Sequence, residues 1–390
     1  MAASGLVVEG GGAAVAPSPG RATWISFSYL ATWAFLLYGV GIATPYLRTD
    51  LHLTSFEAGL HGSALAIGTL TAGVSADRAA RWLGSNWLPD LAVAIIATGI
   101  GLIALAPGLP VSLAGAMLLG LGGGTLGTDV NVRLSRAGGA GARRLFGQAN
   151  ALAMIMAATA PIAIGLAASE LHNWRLALAI PIVGFVALSI IRPREAEERS
   201  SVRAPQTGLP GRYWFAWLLI SLVVAIEFSF VFWGSTIVSR RTGLSSADAT
   251  LLASLFITGM FVGRAAVGRG LGGGFAPRVL LATGLAIVIA GALLVWISTI
   301  PVLAGVGLLL GGLGTAALYP VGLTVALEIA PKAQFQAAAR ATLASGFAVL
   351  LAPSALGLAA DSVTVVGAWP IVLGLAAAAL VVLAVTPRSE

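Results

Sequence analysis

Glu227 stands fifteen residues into an apolar run that begins at Tyr213. An ionised side chain at mid-membrane costs about 2.5–3.5 kcal/mol on insertion scales unless it pairs, loses its charge or meets water. A carboxyl in that position can exchange a proton when a cavity opens, accept hydrogen bonds from solute hydroxyls, or pair with a cationic solute. The plain alternative is a permanently protonated acid bonding one helix to another. Polar aromatic residues supply binding material nearby. Tyr29 and Trp33 lie one turn apart in the first apolar run, Ser229 and Trp233 one turn apart in the seventh, and Tyr319 ends the tenth. Aromatic faces with hydroxyl or indole donors suit sugars and amphipathic organic molecules. Gln148 and Asn150 on the fifth run are further candidates for the cavity wall. Asp129 and Arg133 are four residues apart, as are Glu57 and His61, and each pair can share one helix face.

Other chemistries are excluded by what the chain lacks. There is no cysteine, and the histidines are only His52, His61 and His172, so neither a thiolate nor a histidine-rich metal site is expected. The one lysine is Lys332, and no G-x-x-x-x-G-K-[ST] loop is present, which excludes a P-loop for ATP. The run Gly120–Gly124 lies inside an apolar segment and reads as packing material. No cofactor is implied.

The elements that must position these residues are membrane helices. Of 390 residues, 58% are hydrophobic and only 9% charged, with a mean hydropathy of +0.94. A soluble domain is about a quarter charged. Apolar runs at 24–47, 56–76, 90–108, 111–132, 146–169, 173–192, 213–236, 248–266, 278–299, 301–326, 338–360 and 367–386 each approach the length that crosses a bilayer core of about 30 Å. With the N-terminus inside, the outer loops carry four of the 22 basic residues (Arg48, Arg175, Arg240 and Arg241) and the inner side the other eighteen. That bias predicts an even number of spans with both termini cytoplasmic. It also accounts for the net charge of +7 without nucleic acid as a partner. The expected organisation is a flexible tail (1–23), a six-helix bundle (24–192), a charged linker (193–212), a second six-helix bundle (213–386) and a short tail (387–390). The halves echo each other: Gly73, Asp77, Arg78 and Arg81 follow the second span, and Gly259, Gly263, Arg264, Gly268 and Arg269 end the eighth. Such internal duplication is the ground plan of secondary transporters.

These features together resemble the major facilitator superfamily. Its pattern between spans 2 and 3 is roughly G-x-L-A-D-R-x-G-R-R/K, matched here by Gly73, Ala76, Asp77, Arg78 and Arg81. Ser75, Ala80 and Trp82 depart from it. Asn173-Trp174-Arg175 before span 6 and Leu318-Tyr319-Pro320 in span 10 are similar to the family as well. Asp129 and Asn131 in span 4 partly resemble fucose-permease-like members, although Arg133 is not part of that pattern. Drug antiporters are less similar, because the body of span 4 from Val111 to Gly127 has no arginine. The resemblance implies an all-α membrane protein with twelve transmembrane helices in two pseudo-symmetric six-helix halves. It further implies a cytoplasmic latch of Asp77, Arg78, Arg81, Asp129 and Arg133, with Arg264 or Arg269 meeting Glu328 in the second half.

The expected function is secondary active transport of a small organic solute by a monomer in the cell membrane. The preferred mode is proton symport through Glu227 by alternating access. Two other readings stand beside it: proton-driven efflux of amphipathic compounds, and a non-transporting receptor or channel. No enzymatic activity is expected.

Overall fold

The structure is a computed structural model that describes residues 19–84, 86–138, 142–194, 208–267 and 274–386. The expected tails up to residue 18 and over 387–390, and the linker over 195–207, lie outside the described residues. The rest is helical, and thirteen helices form twelve spans. These are α1 (Arg21–Asp50), α2 (Ser55–Leu83), α3 (Leu88–Ala104), α4 (Leu109–Gly138), α5 (Ala142–Glu170) and α6 (Arg175–Ile191), followed by α7 (Tyr213–Thr242), α8 (Ser246–Ala266) and α9 (Pro277–Ile297). The tenth span is split into α10 (Pro301–Thr315) and α11 (Leu318–Ile329), and α12 (Gln334–Ala368) and α13 (Pro370–Val385) complete the set. Eight spans among the described residues are long and apolar enough to cross a membrane on that criterion, and α3, α6 and α13 are shorter apolar helices. Below, the near end is the one where α1 starts; the far end is the one where it finishes.

The sequence dictates the outer faces. Ile180, Val183 and Ile190 on α6 and Val381 and Val385 on α13 are exposed, as expected of side chains that meet lipid. Exposed Trp24, Trp82, Trp87 and Trp214 all lie at the near end, where an aromatic ring can sit at the level of the headgroups.

Inside each half, glycines bring the helices to backbone contact. A Cβ on Gly120 of α4 would collide with the Leu65 carbonyl of α2, and one on Gly312 of α10 with the Phe256 carbonyl of α8. Gly122 packs on the Ala92 carbonyl and Gly314 on the Gly284 carbonyl in the same manner. Small residues allow such approach, and the van der Waals contact it creates holds membrane helices together in the absence of a hydrophobic drive. These correspondences fix the repeat at 192 residues for α1 with α7 and for α4 with the tenth span, and at 191 for α2 with α8. Gly259 is therefore the counterpart of Gly68, and Arg264 that of Gly73. The sequence echo that aligned Gly73 with Gly259 is out of register, because motif similarity and helix packing follow different residues.

Gly120→Ala and Gly312→Ala should each lower the melting temperature of the detergent-purified protein, by roughly 1–3 kcal/mol of stability or more, since backbone cannot yield as a side chain does. Gly127, whose Cβ position is open, should tolerate alanine with little change.

Candidate substrate and coupling site

Glu227 is the fifteenth of thirty residues in α7, and its side chain is buried. The Tyr38 hydroxyl of α1 donates to its Oε1 at 2.5 Å, so the bond joins the two halves near the middle of both helices. Phe228 stacks on the Tyr38 ring with 6.2 Å between centroids. Arg264 of α8 interacts with the Tyr38 hydroxyl too, and its charge and that of Glu227 both act on Tyr319 of α11. Tyr319 in turn interacts with Ser345 of α12. Arg264 Nε donates to the Ala316 carbonyl at 3.3 Å, at the point where the tenth span breaks between α10 and α11. A broken membrane helix frees backbone carbonyls that need another donor, and irregular backbone at this depth is tolerated where it is buried in protein or lines a cavity. One acid, one guanidinium, two phenols and a hydroxyl from five helices thus converge at mid-height.

The far end is closed around this cluster. The halves meet through α1 with α7, α2 with α12 and α5 with α8. Ser63 Oγ donates to the Leu350 carbonyl at 2.5 Å and to Ser354 Oγ at 3.3 Å. Trp233 Nε1 donates to the Pro353 carbonyl at 3.1 Å, and Tyr46 bonds Ser246 and Thr250 across the α1–α8 contact. Asp361 of α12 accepts from the backbone nitrogens of Ser55 (2.6 Å) and Phe56 (2.8 Å), which places a carboxylate at the positive end of the α2 dipole. Thr54 and Glu57 complete that terminus with a capping box. Toward the near end, by contrast, Val74, Arg78 and Arg81 on α2 and Arg340, Leu343 and Phe347 on α12 are exposed.

The structure distributes the other residues singled out in the sequence more widely. Tyr29 hydrogen-bonds Ser189 at 3.0 Å and lines a near-end pocket with Arg133, Arg136 and Arg192, well away from Glu227. Trp33 lies against Gly123 of α4. Ser229 donates to the Ala225 carbonyl of its own helix, and Trp233 to the Pro353 carbonyl of α12 within the same half. Gln148 is half-buried, and Asn150 is exposed with its amide on the Phe146 carbonyl. Of that group, Tyr319 alone joins Glu227. Among the charges, Asp129 and Arg133 pair at 2.6 Å. Glu328 is engaged in further interactions of its own. Arg269 and the side chain of Asp77 lie outside what the structure describes. Arg264 sits inside the bundle instead of marking its near end. The expected Glu57–His61 pair is not formed: His61 is buried against Ser112, with 2.9 Å between Nε2 and Oγ, while Glu57 caps its helix.

Two site residues were missed. Tyr38 could have been found by depth, because it lies as centrally in its span as Glu227 does in the corresponding one. Ser345 gives no such signal.

No protein-family model and no curated protein sequence matches the chain. Solved structures do. A variant of the nucleoside transporter NupG superposes with a TM-score of 0.78 at 14% identity, covering 94% of this chain and 100% of that one. A variant of a POT peptide transporter gives 0.74 at 16% identity, with 93% of each chain covered. A bacterial homologue of the human lysosomal transporter Spinster, inward-facing and occupied, gives 0.71 at 15% identity over 96% of this chain and 98% of that one. The chain therefore shares the fold of these solved transporters.

The cysteine-free background makes the far-end closure directly testable. Ser63→Cys with Ser354→Cys should form a disulfide under mild oxidation, seen by mass spectrometry, and raise stability by about 2–4 kcal/mol through closure of a long loop. Failure of the pair to cross-link would mean that these helices do not meet.

Proposed function

We propose that the protein is a secondary transporter that moves a small organic solute across the cell membrane by alternating access, in symport with protons carried on Glu227. The observation that carries this reading is the Tyr38–Glu227 hydrogen bond, an ionisable contact between the halves at mid-membrane. An exchangeable carboxyl there senses both the opening of the cavity and the occupancy of the site. The likeness to nucleoside and peptide transporters supports a polar organic solute as cargo. The near end is the cytoplasmic one on this reading, because the basic loops gather there. Arg78, Arg81, Asp77, Asp129 and Arg133 then make up the cytoplasmic gate, with Arg269 and Glu328 as the second half's contribution.

The test uses purified protein in liposomes that contain a pH-sensitive dye. Solutes are first chosen by their ability to raise the melting temperature, which a ligand of the folded state does by mass action. Such a solute should drive proton movement with the wild type and none with Glu227→Gln, although the variant still binds it. Proton movement retained by the variant would remove Glu227 from the mechanism. Solute uptake without proton movement in the wild type would make the protein a uniporter.

A further inference from the structure

We propose that the transported solute is an anion, a small organic carboxylate or an oxyanion of equivalent charge, and that Arg264 is the residue that binds it. The proposal rests on the transport reading above and names its cargo. Arg264 has no counterpart in the first half, where Gly73 holds the equivalent position. A guanidinium placed deep in a membrane bundle requires a partner or water. Of its five N–H donors, the one on Nε meets the Ala316 carbonyl at 3.3 Å and one more faces the Tyr38 hydroxyl, which leaves others for a ligand. Among the described residues Arg264 and Glu227 form no salt bridge, and the Oε1 of the acid accepts from Tyr38. The half-buried Arg264 side chain thus retains a planar fork of donors, with the hydroxyls of Tyr38 and Tyr319 beside it. That fork matches a carboxylate bidentately. A sugar or a cationic solute leaves this charge unanswered.

Charge balance then orders the cycle. With Glu227 ionised, its negative charge offsets Arg264 and opposes an incoming anion. With a proton on Glu227 the guanidinium is uncompensated, and the anion binds. Proton and anion therefore enter together and cross without net charge. The titratable groups that face Glu227 are Tyr38 from α1, Arg264 from α8 and Tyr319 from α11. On α12, Arg340 and Asp361 stand at opposite ends, and His61 is turned into the α2–α4 contact. Glu227 is accordingly the carboxyl of the cluster on which this cycle places the exchangeable proton.

The experiment measures stabilisation and affinity of the detergent-purified protein with acetate, lactate, benzoate and benzenesulfonate. Benzamide and benzylamine are the neutral and cationic controls. Benzenesulfonate keeps its charge throughout, so its pH dependence belongs to the protein. The anions should raise the melting temperature, more at pH 5.5 than at pH 7.5. Arg264→Gln should weaken them about thirtyfold or more, as loss of one partner of a buried charge pair does, and Arg264→Lys should restore part of the affinity. Glu227→Gln, a mimic of the protonated acid, should bind benzenesulfonate at pH 7.5 as the wild type does at pH 5.5. The melting temperature of each ligand-free variant reports whether it is folded. If none of these anions stabilises the wild type, or if a folded Arg264→Gln binds them undiminished, the anion assignment falls. Stabilisation by benzamide or benzylamine alone also overturns it, yet leaves solute binding intact. In each case proton movement in liposomes decides the transport reading separately.

Discussion

Hydrocarbon offers no hydrogen bonds, so a polar group at mid-membrane needs a partner within the chain or a water-filled cavity. Most solve the problem locally. Ser26, Thr44, Thr125 and Thr315 each donate to the carbonyl one turn earlier on their own helix. Charges near the helix ends pair with neighbours: Arg175 meets Asp50 at 2.6 Å at the far end, and Arg192 meets Asp90 at 2.9 Å at the near end. Once these are set aside, the polar groups left at mid-height are few. Glu227 and Arg264 stand out because neither is held in a salt bridge, and both border the seam between the halves.

Glycine packing runs both within the halves and between them. Backbone-to-backbone contact of α2 with α4 and α3 with α4, and of α8 and α9 with α10, makes each half a tight unit. Across the seam, Gly59 of α2 sits against the Pro353 carbonyl and Gly357 of α12 against the Ser55 carbonyl in the same manner, beside the hydrogen bonds of Ser63 with Leu350 and of Asp361 with the start of α2. Separating the halves at the far end therefore means giving up backbone packing as well as polar contacts.

How much of this was legible in the sequence depends on the physical signal. The twelve spans were, because bilayer thickness imposes a length and the Pro-Gly-Leu-Pro turn separates spans 3 and 4. So was an interruption in the tenth span, because Pro320 has no N–H for the Ala316 carbonyl four residues earlier, the carbonyl that Arg264 takes instead. Glu227 declared itself by charge. Tyr38 did not, for a tyrosine in an apolar run costs little and reads as an anchor. Arg264 was visible and misplaced, because its neighbouring glycines resemble the loop motif while the packing register sets it one and a half turns further in. Spacing also misled at Glu57 and His61, where four residues permit a pair and helix capping takes one member away.

The central position of the Tyr38–Glu227 bond has a mechanical consequence. Both partners lie near the midpoints of thirty-residue helices about 45 Å long. When one rigid body pivots on another, displacement grows with distance from the axis, so the helix tips sweep several ångströms while the fulcrum hardly shifts. A contact at the fulcrum can persist through the swing, and the tips alone must trade partners. On the proposed mechanism the hinge is also the place where a change of one proton is felt equally by both arms of the lever.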